Sequence, residues 1–227
     1  MIRPSKPEAC LFVLSGPCGT GKTSLANALR ELEPDIGYIR SVTTRAPRTP
    51  TEDHYDWVDR EEFIRMIHDG EFIQWINPAY NEFYGTRREP IEESLAQSRD
   101  LVFDYCPEGT LNLARLYPNH VVTIFVMAPS LDVMQDRLKK RGSESIDEQE
   151  LRYQMALQDL NFVNQHDYHV VNDDFQNALA QIRAIRVAEK CRLTRQPQVV
   201  ENYAHYAAPA LLRYYEAPQT LDPKFKR

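Results

Sequence analysis

The chain has 227 residues and a formal net charge of −6 at pH 7, which excludes a basic nucleic-acid binder on bulk charge alone. Hydrophobic residues make up 42% and charged residues 26%, so a disordered chain is excluded in favour of one medium-sized domain or a domain with an appendage. No run approaches the roughly 18 apolar residues of a spanning helix, no secretory apolar region follows the start, and Cys10, Cys18, Cys106 and Cys191 lack paired metal spacing; a cytoplasmic chain with free thiols and no membrane partner is expected.

In chain order, the apolar run at residues 10–14 reads as a buried parallel strand that stops at glycine and proline. Leu25, Ala28, Leu29 and Leu32 recur at helical spacing and predict a helix over 22–32. Asp59 reads as the N-cap of a second helix, with Glu62 three residues on, an apolar stripe of Phe63, Ile64 and Ile67, and Gly70 as its end. Between about 55 and 86, short aromatic-rich pieces (Tyr55, Trp57, Phe72, Trp75, Tyr80, Phe83, Tyr84) predict a small mixed or antiparallel subdomain. Alternation then resumes: helix 91–97, strand 101–103 entering Asp104, helix 111–116, strand 121–127, helix 131–140 capped at Gly142, helix 150–163, strand 168–171 and helix 175–188. Strands alternating with helices imply a mostly parallel sheet covered on both faces. From Cys191 the composition shifts to prolines, tyrosines and arginines, with helix expected only near 199–206.

Gly16, Pro17, Cys18, Gly19, Thr20, Gly21, Lys22 and Thr23 form G-x-x-x-x-G-K-[ST] between that first strand and first helix, the context a phosphate-binding loop requires. Loop amides and the helix N-terminus can surround phosphate oxygens, Lys22 can reach the β and γ phosphates, and the Thr23 hydroxyl can ligate magnesium. A polyphosphate ligand is therefore expected.

A loop of this kind does not identify the second substrate, so the remaining residues must. Ser41-Val42-Thr43-Thr44-Arg45-Ala46-Pro47-Arg48, then Tyr55, Gly70 to Trp75, Tyr84-Gly85-Thr86 and finally Val171 to Asp174 resemble the guanylate kinase family in order and spacing, over about 10–187. Independently of the family, two arginines three apart beside hydroxyls can fork a phosphate dianion, and tyrosines can donate further hydrogen bonds to it.

The resemblance implies a three-layer α/β P-loop NTPase fold and a domain over 9–190. Its core falls at about 9–40 and 88–190, with a mixed-β acceptor-nucleotide subdomain at about 41–87 and a helical lid at about 137–155. The segment 191–227 is a C-terminal extension without an assigned role. It also implies that Ser41, Arg45, Arg48, Tyr55 and Tyr84 hold the acceptor phosphate with Thr86 near the base, and that Arg137, Arg141 and Arg152 close on the donor phosphates. Asn172 then helps hold the adenine nucleotide, and Asp104 orients magnesium or its waters. Two positions depart from the family. Gln74 stands where guanylate kinases have a glutamate, and Cys106 where they have an aspartate. Those carboxylates accept from guanine N1 and N2; replacing charge-assisted bonds of about 1.5–3 kcal/mol each should weaken GMP binding by about an order of magnitude or more. A carboxamide can instead pair with a donor–acceptor edge such as adenine presents, or tolerate several bases, and Glu108 is a substitute carboxylate candidate. The loop from Arg48 to Tyr55 is also short, residues 80–84 carry an extra residue, and Glu82 replaces an asparagine.

The expectation is an ATP- and Mg2+-dependent nucleoside monophosphate kinase, GMP or dGMP leading as acceptor, acting as monomer or homodimer. Two alternatives remain: a ribose bisphosphate kinase, which needs no base site, and a non-catalytic guanylate-kinase-like module that binds phosphorylated proteins.

Overall fold

The computed structural model describes residues 8–47, 52, 55–77, 82–140, 146–196, 199 and 201, the side chains of 146–148 excepted. In chain order the elements are β1 (Leu11–Ser15), α1 (Lys22–Leu32), β2 (Gly37–Tyr38), β3 (Ser41–Thr43), β4 (Tyr55–Trp57), α2 (Arg60–His68), β5 (Phe72–Ile76) and β6 (Tyr84–Arg87). Then come α3 (Arg88–Ala96), β7 (Leu101–Asp104), α4 (Pro107–Leu116), β8 (Val121–Met127), α5 (Leu131–Lys139), α6 (Ile146–Asp159), β9 (Tyr168–Val171) and α7 (Phe175–Lys190).

β1 is buried at all five residues because both of its faces are covered. Phe12 and Leu14 point into one core with Leu25 and Leu29 of α1 and Leu179 and Ile182 of α7. Leu11 and Val13 point into a second core with Ile91 of α3 and Leu113 of α4. That two-sided burial explains an unbroken apolar run where a half-exposed strand would alternate. The strand lies centrally in a five-stranded sheet of order β2-β7-β1-β8-β9, parallel at every pairing. Loops leaving the carboxyl ends of β1 and β7 therefore open into one crevice.

A second sheet, order β4-β3-β6-β5, branches off after β2. One of its faces packs on α2, with Phe63 and Met66 against Val42, Phe72 and Phe83 and the Phe63 and Phe72 rings stacked at 4.6 Å. As expected, Asp59 caps α2, accepting from the Glu62 amide at 2.8 Å, and Gly70 follows the helix with φ +70°. A register shift between Phe72 and Gln74 changes the strand's phase. It lets Phe72 face the α2 core while Gln74 faces the opposite side.

Several boundaries differ from expectation for local reasons. β2 and β3, two and three residues long, are too short to show a period. α4 begins at Pro107 and not at 111, because proline is well suited to the first helical position. α3 likewise starts at Arg88, with Pro90 inside its first turn. α6 begins at Ile146 and passes at Leu160 into a 3-10 turn, Leu160–Gln165, where one long helix was expected. The expected Gly142 cap and helix residues 202–206 lie outside the described residues. Among the described residues no helix is long and apolar enough to cross a membrane.

Candidate active site

Three left-handed glycines shape the loop between β1 and α1: Gly16 at φ +122°, Gly19 at +83° and Gly21 at +92°. A side chain at Gly16 would place Cβ 2.4 Å from the Val126 carbonyl oxygen, and one at Gly21 would meet the Asn172 amide at 2.4 Å. Only glycine fits either place. The Lys22 ammonium donates to the Gly16 and Pro17 carbonyls, both at 2.7 Å, so its charge is fixed over the loop. Thr20 Oγ1 donates to the Pro17 carbonyl at 2.9 Å, and half-buried Cys18 lies within the same turn. Asn172, at the carboxyl end of β9, donates from Nδ2 to the Thr20 carbonyl at 2.8 Å, and Arg137 Nη2 donates to the Asn172 carbonyl at 3.1 Å. Thus α5, β9 and the loop are tied into one rigid corner.

Beside that corner, Thr23 Oγ1 donates to Asp104 Oδ2 at 2.7 Å. The parallel register that sets Leu14 against Asp104 makes this contact possible. Tyr38 of β2 reaches the other carboxylate oxygen at 3.5 Å.

The strand register of the second sheet gathers the other expected residues. Ser41 pairs with Tyr55, Thr43 with Tyr84, and Gln74 with Thr86. Cross-strand partners share a face, as do residues two apart, so Ser41, Thr43, Tyr55, Gln74, Tyr84 and Thr86 all lie on the face opposite the α2 core. Arg45, only 6% exposed, extends beyond β3. Its Nη1 donates to the Ala46 carbonyl at 2.7 Å and its Nη2 to Glu52 Oε1 at 2.6 Å. Its guanidinium sits 5.1 Å from the centre of the Tyr55 ring, which in turn lies 5.9 Å from the Tyr84 ring. The Tyr84 hydroxyl donates to Glu82 Oε2 at 2.9 Å. Burial, with Glu82 adding to it, pushes the Tyr84 phenol up to about 12, against the opposing fields of Arg45 and Arg152. Arg152 of α6 is therefore close enough to act on this face.

At the far end of the same face the character changes. Both amide atoms of Gln74 are buried without a hydrogen-bond partner. The Thr86 hydroxyl is also buried without a complete hydrogen bond and lies against the Tyr105 phenol. Burial pushes the Cys106 thiol up to about 11, so it is uncharged near neutral pH. Arg48 and Arg141 lie outside the described residues.

Three residues of this region were missed from sequence. Tyr38 donates to Asp104 and sits on a strand too short to read. Glu52 neutralises Arg45 in a buried pair, both side chains 5% exposed, and no spacing in the sequence marks it. Asp159 ends α6; burial raises its carboxyl to about 6, and Lys22 works against that shift. Its position seven residues after Arg152, on the same helix face, could have flagged it.

The chain is similar to guanylate kinases over most of its length. The family model described as guanylate kinase matches residues 8–189. A guanylate kinase of Caldanaerobacter subterraneus subsp. tengcongensis is 39% identical over 192 residues, 84% of this chain and 92% of the relative. One of Gluconobacter oxydans is 37% identical over 209 residues, 91% of this chain and all of the relative. A crystal structure of guanylate kinase from Anaplasma phagocytophilum superposes with a TM-score of 0.71 at 29% identity, covering 84% of this chain and 90% of that one.

Proposed function

The chain belongs to the guanylate kinase family, and from that membership we propose that it takes ATP on the loop around Lys22 and GMP on the face beneath Arg45. The γ-phosphoryl passes between them, giving ADP and GDP. The supporting observation is that each anion site is built by its own run of contacts, Thr23 to Asp104 and Asp104 to Tyr38 on the loop side, and Tyr55 under Arg45 and against Tyr84 on the other. Two such phosphate-binding sites suit direct in-line transfer, which needs positioning and charge stabilisation rather than a strong base.

Each residue then has a physical task. Lys22 and the loop amides bind the β and γ phosphates, and Asn172 keeps the loop in shape through Thr20. Arg45 exchanges Glu52 for an acceptor phosphate oxygen; the carboxylate keeps the guanidinium oriented beforehand. Ser41, Tyr55 and Tyr84 donate to the remaining oxygens, and the family resemblance assigns Arg48 to the same phosphate. Arg137 and Arg152, with Arg141 by that resemblance, offset charge on the equatorial oxygens. An acceptor phosphate oxygen attacks the γ-phosphorus as the bond to the ADP oxygen breaks, so atoms and charge balance without a proton relay.

Thr23 Oγ1 and Asp104 Oδ2 are hard oxygens 2.7 Å apart on the phosphate side of the loop, a donor set that fits magnesium with retained waters. Held by Thr23 and Asp104, magnesium would supply charge neutralisation for the donor's phosphates. A ribose bisphosphate acceptor would leave the buried Gln74 amide unmatched, and a purely phosphoprotein-binding role would leave Lys22 and the Thr23–Asp104 pair without use.

The test is ADP release from ATP in a coupled assay with GMP as acceptor. The expected result is turnover that requires both nucleotides and magnesium. ADP release indifferent to GMP, or none at all, overturns the reading.

A further inference from the structure

Gln74 is the one expected site residue whose polar atoms are both buried and unmet among the described residues. An unsatisfied buried amide costs about 1–3 kcal/mol per group, and a ligand edge that completes it recovers that cost. A carboxylate there would accept twice. A carboxamide accepts once and donates once, and it completes itself only against an edge that offers one donor beside one acceptor.

We propose that the acceptor site reads the N1/C6 edge of a purine through the Gln74 amide and is blind to the C2 amino group, so that it phosphorylates purine monophosphates as a class, IMP and AMP as well as GMP. This rests on the kinase reading above. In the 6-oxopurines, N1–H donates to Oε1 and O6 accepts from Nε2. In adenine the polarity is reversed: N6–H donates to Oε1 and N1 accepts from Nε2, after a half-turn of the amide. Neither end of that amide is tied to a protein group, so the base sets its sense. The Thr86 hydroxyl, opposite Gln74 across the ladder, is compatible with both polarities because a hydroxyl donates or accepts by rotating.

The C2 amino group of guanine has no strong acceptor to find. Gln74 is already used, and Cys106, the side chain two residues past Asp104, is a thiol that burial keeps protonated at neutral pH. A thiol is a weak acceptor, so hypoxanthine, which lacks that amine, forfeits little. Arg45, Tyr55 and Tyr84 pack on one another, and as a phosphate clamp they meet only the group that every monophosphate shares. Pyrimidine monophosphates reach the clamp equally well, but the shorter ring leaves the Gln74 edge unfilled.

The test compares kcat/KM for GMP, IMP, AMP, CMP and UMP with magnesium-ATP, for the native chain and for Gln74→Glu and Cys106→Asp. In the native chain GMP exceeds IMP by less than about tenfold, the loss of one weak hydrogen bond, and AMP is turned over faster than CMP or UMP. Gln74→Glu replaces the Nε2 donor by an acceptor, so that guanine shifts along its edge to meet the two oxygens with N1–H and N2–H. It raises the GMP to IMP ratio at least tenfold, chiefly through KM, and abolishes AMP turnover. Cys106→Asp raises the GMP to IMP ratio without requiring any change at Gln74, and so decides the matter should Gln74→Glu not fold. A native preference for GMP over IMP above a hundredfold, or ratios unmoved by both substitutions, overturns the proposal while leaving the kinase intact. Failure to phosphorylate any monophosphate overturns the kinase reading instead.

Discussion

On the proposed reading the donor corner and the acceptor face each hold a phosphate, but they are finished to different degrees. Around the phosphate loop every named polar group has a protein partner: Lys22 on two carbonyls, Thr23 on Asp104, Asn172 on Thr20. On the acceptor face the phosphate end is equally complete, with Arg45 paired to Glu52 and Tyr84 to Glu82, whereas the base end keeps a buried amide unmatched. A polyphosphate is the same ligand whatever the base, so its site can be preformed. The base end can be completed only by what it recognises, and selectivity therefore resides there.

The sharpest break of this contrast is at Lys22. Lys22→Ala should lower phosphoryl transfer by about three orders of magnitude or more with little change in melting temperature, as read by the coupled assay and by calorimetry. Next is the acceptor clamp. Arg45→Ala strands the buried Glu52 carboxylate, so unfolding in urea should show a loss of about 3–5 kcal/mol. Arg45→Ala with Glu52→Gln should recover most of that stability and none of the affinity for the monophosphate. If the double variant stays as unstable as the single one, the pair is not the structural link drawn here.

A smaller effect is expected at Asn172. Asn172→Ala releases the Thr20 carbonyl at a cost of about 1–3 kcal/mol, and should raise KM for ATP while leaving KM for GMP alone. Asp159 gives a pH-dependent test of similar or smaller size. Its carboxyl is raised by burial from 3.8 to about 6, so the folded state holds this proton more tightly than the unfolded chain. Its contribution to stability is greatest below about pH 4 and is lost as pH rises through 6. Asp159→Asn should therefore be more stable than the native chain at pH 7, by about 1–2 kcal/mol, and no more stable at pH 4. The smallest effect belongs to the cap of α7. Asp174 accepts from the Asn177 amide at 2.7 Å, and Asp174→Ala should cost about 1 kcal/mol of stability in urea unfolding.

The two regions also differed in how far the sequence revealed them. The phosphate loop is local: eight consecutive residues between an apolar strand and an amphipathic helix carry its whole geometry, and α1 falls at 22–32 as the periodicity indicated. Long strands buried on both faces, such as β8 at Val121–Met127, were equally plain. The acceptor face is assembled from four short strands, and which residues share it depends on pairing register and on the irregularity between Phe72 and Gln74. No period of two survives that shift. Its members were recognisable through family resemblance, but Tyr38 and Glu52, whose roles come from contacts across the sheet and the adjoining loop, were not. Charge partners of this kind are set by tertiary structure and leave no spacing to detect.

The most direct measurement uses one molecule to occupy both sites: guanosine and adenosine joined through five phosphates, assayed as an inhibitor and titrated calorimetrically. Two anion sites facing each other across a single transferred phosphoryl group require one molecule per chain, competition with ATP and with GMP alike, and affinity above that of either nucleotide alone. Competition with only one of them, or simultaneous binding of the bridged molecule and GMP, would contradict the facing arrangement of Lys22 and Arg45 and with it direct transfer.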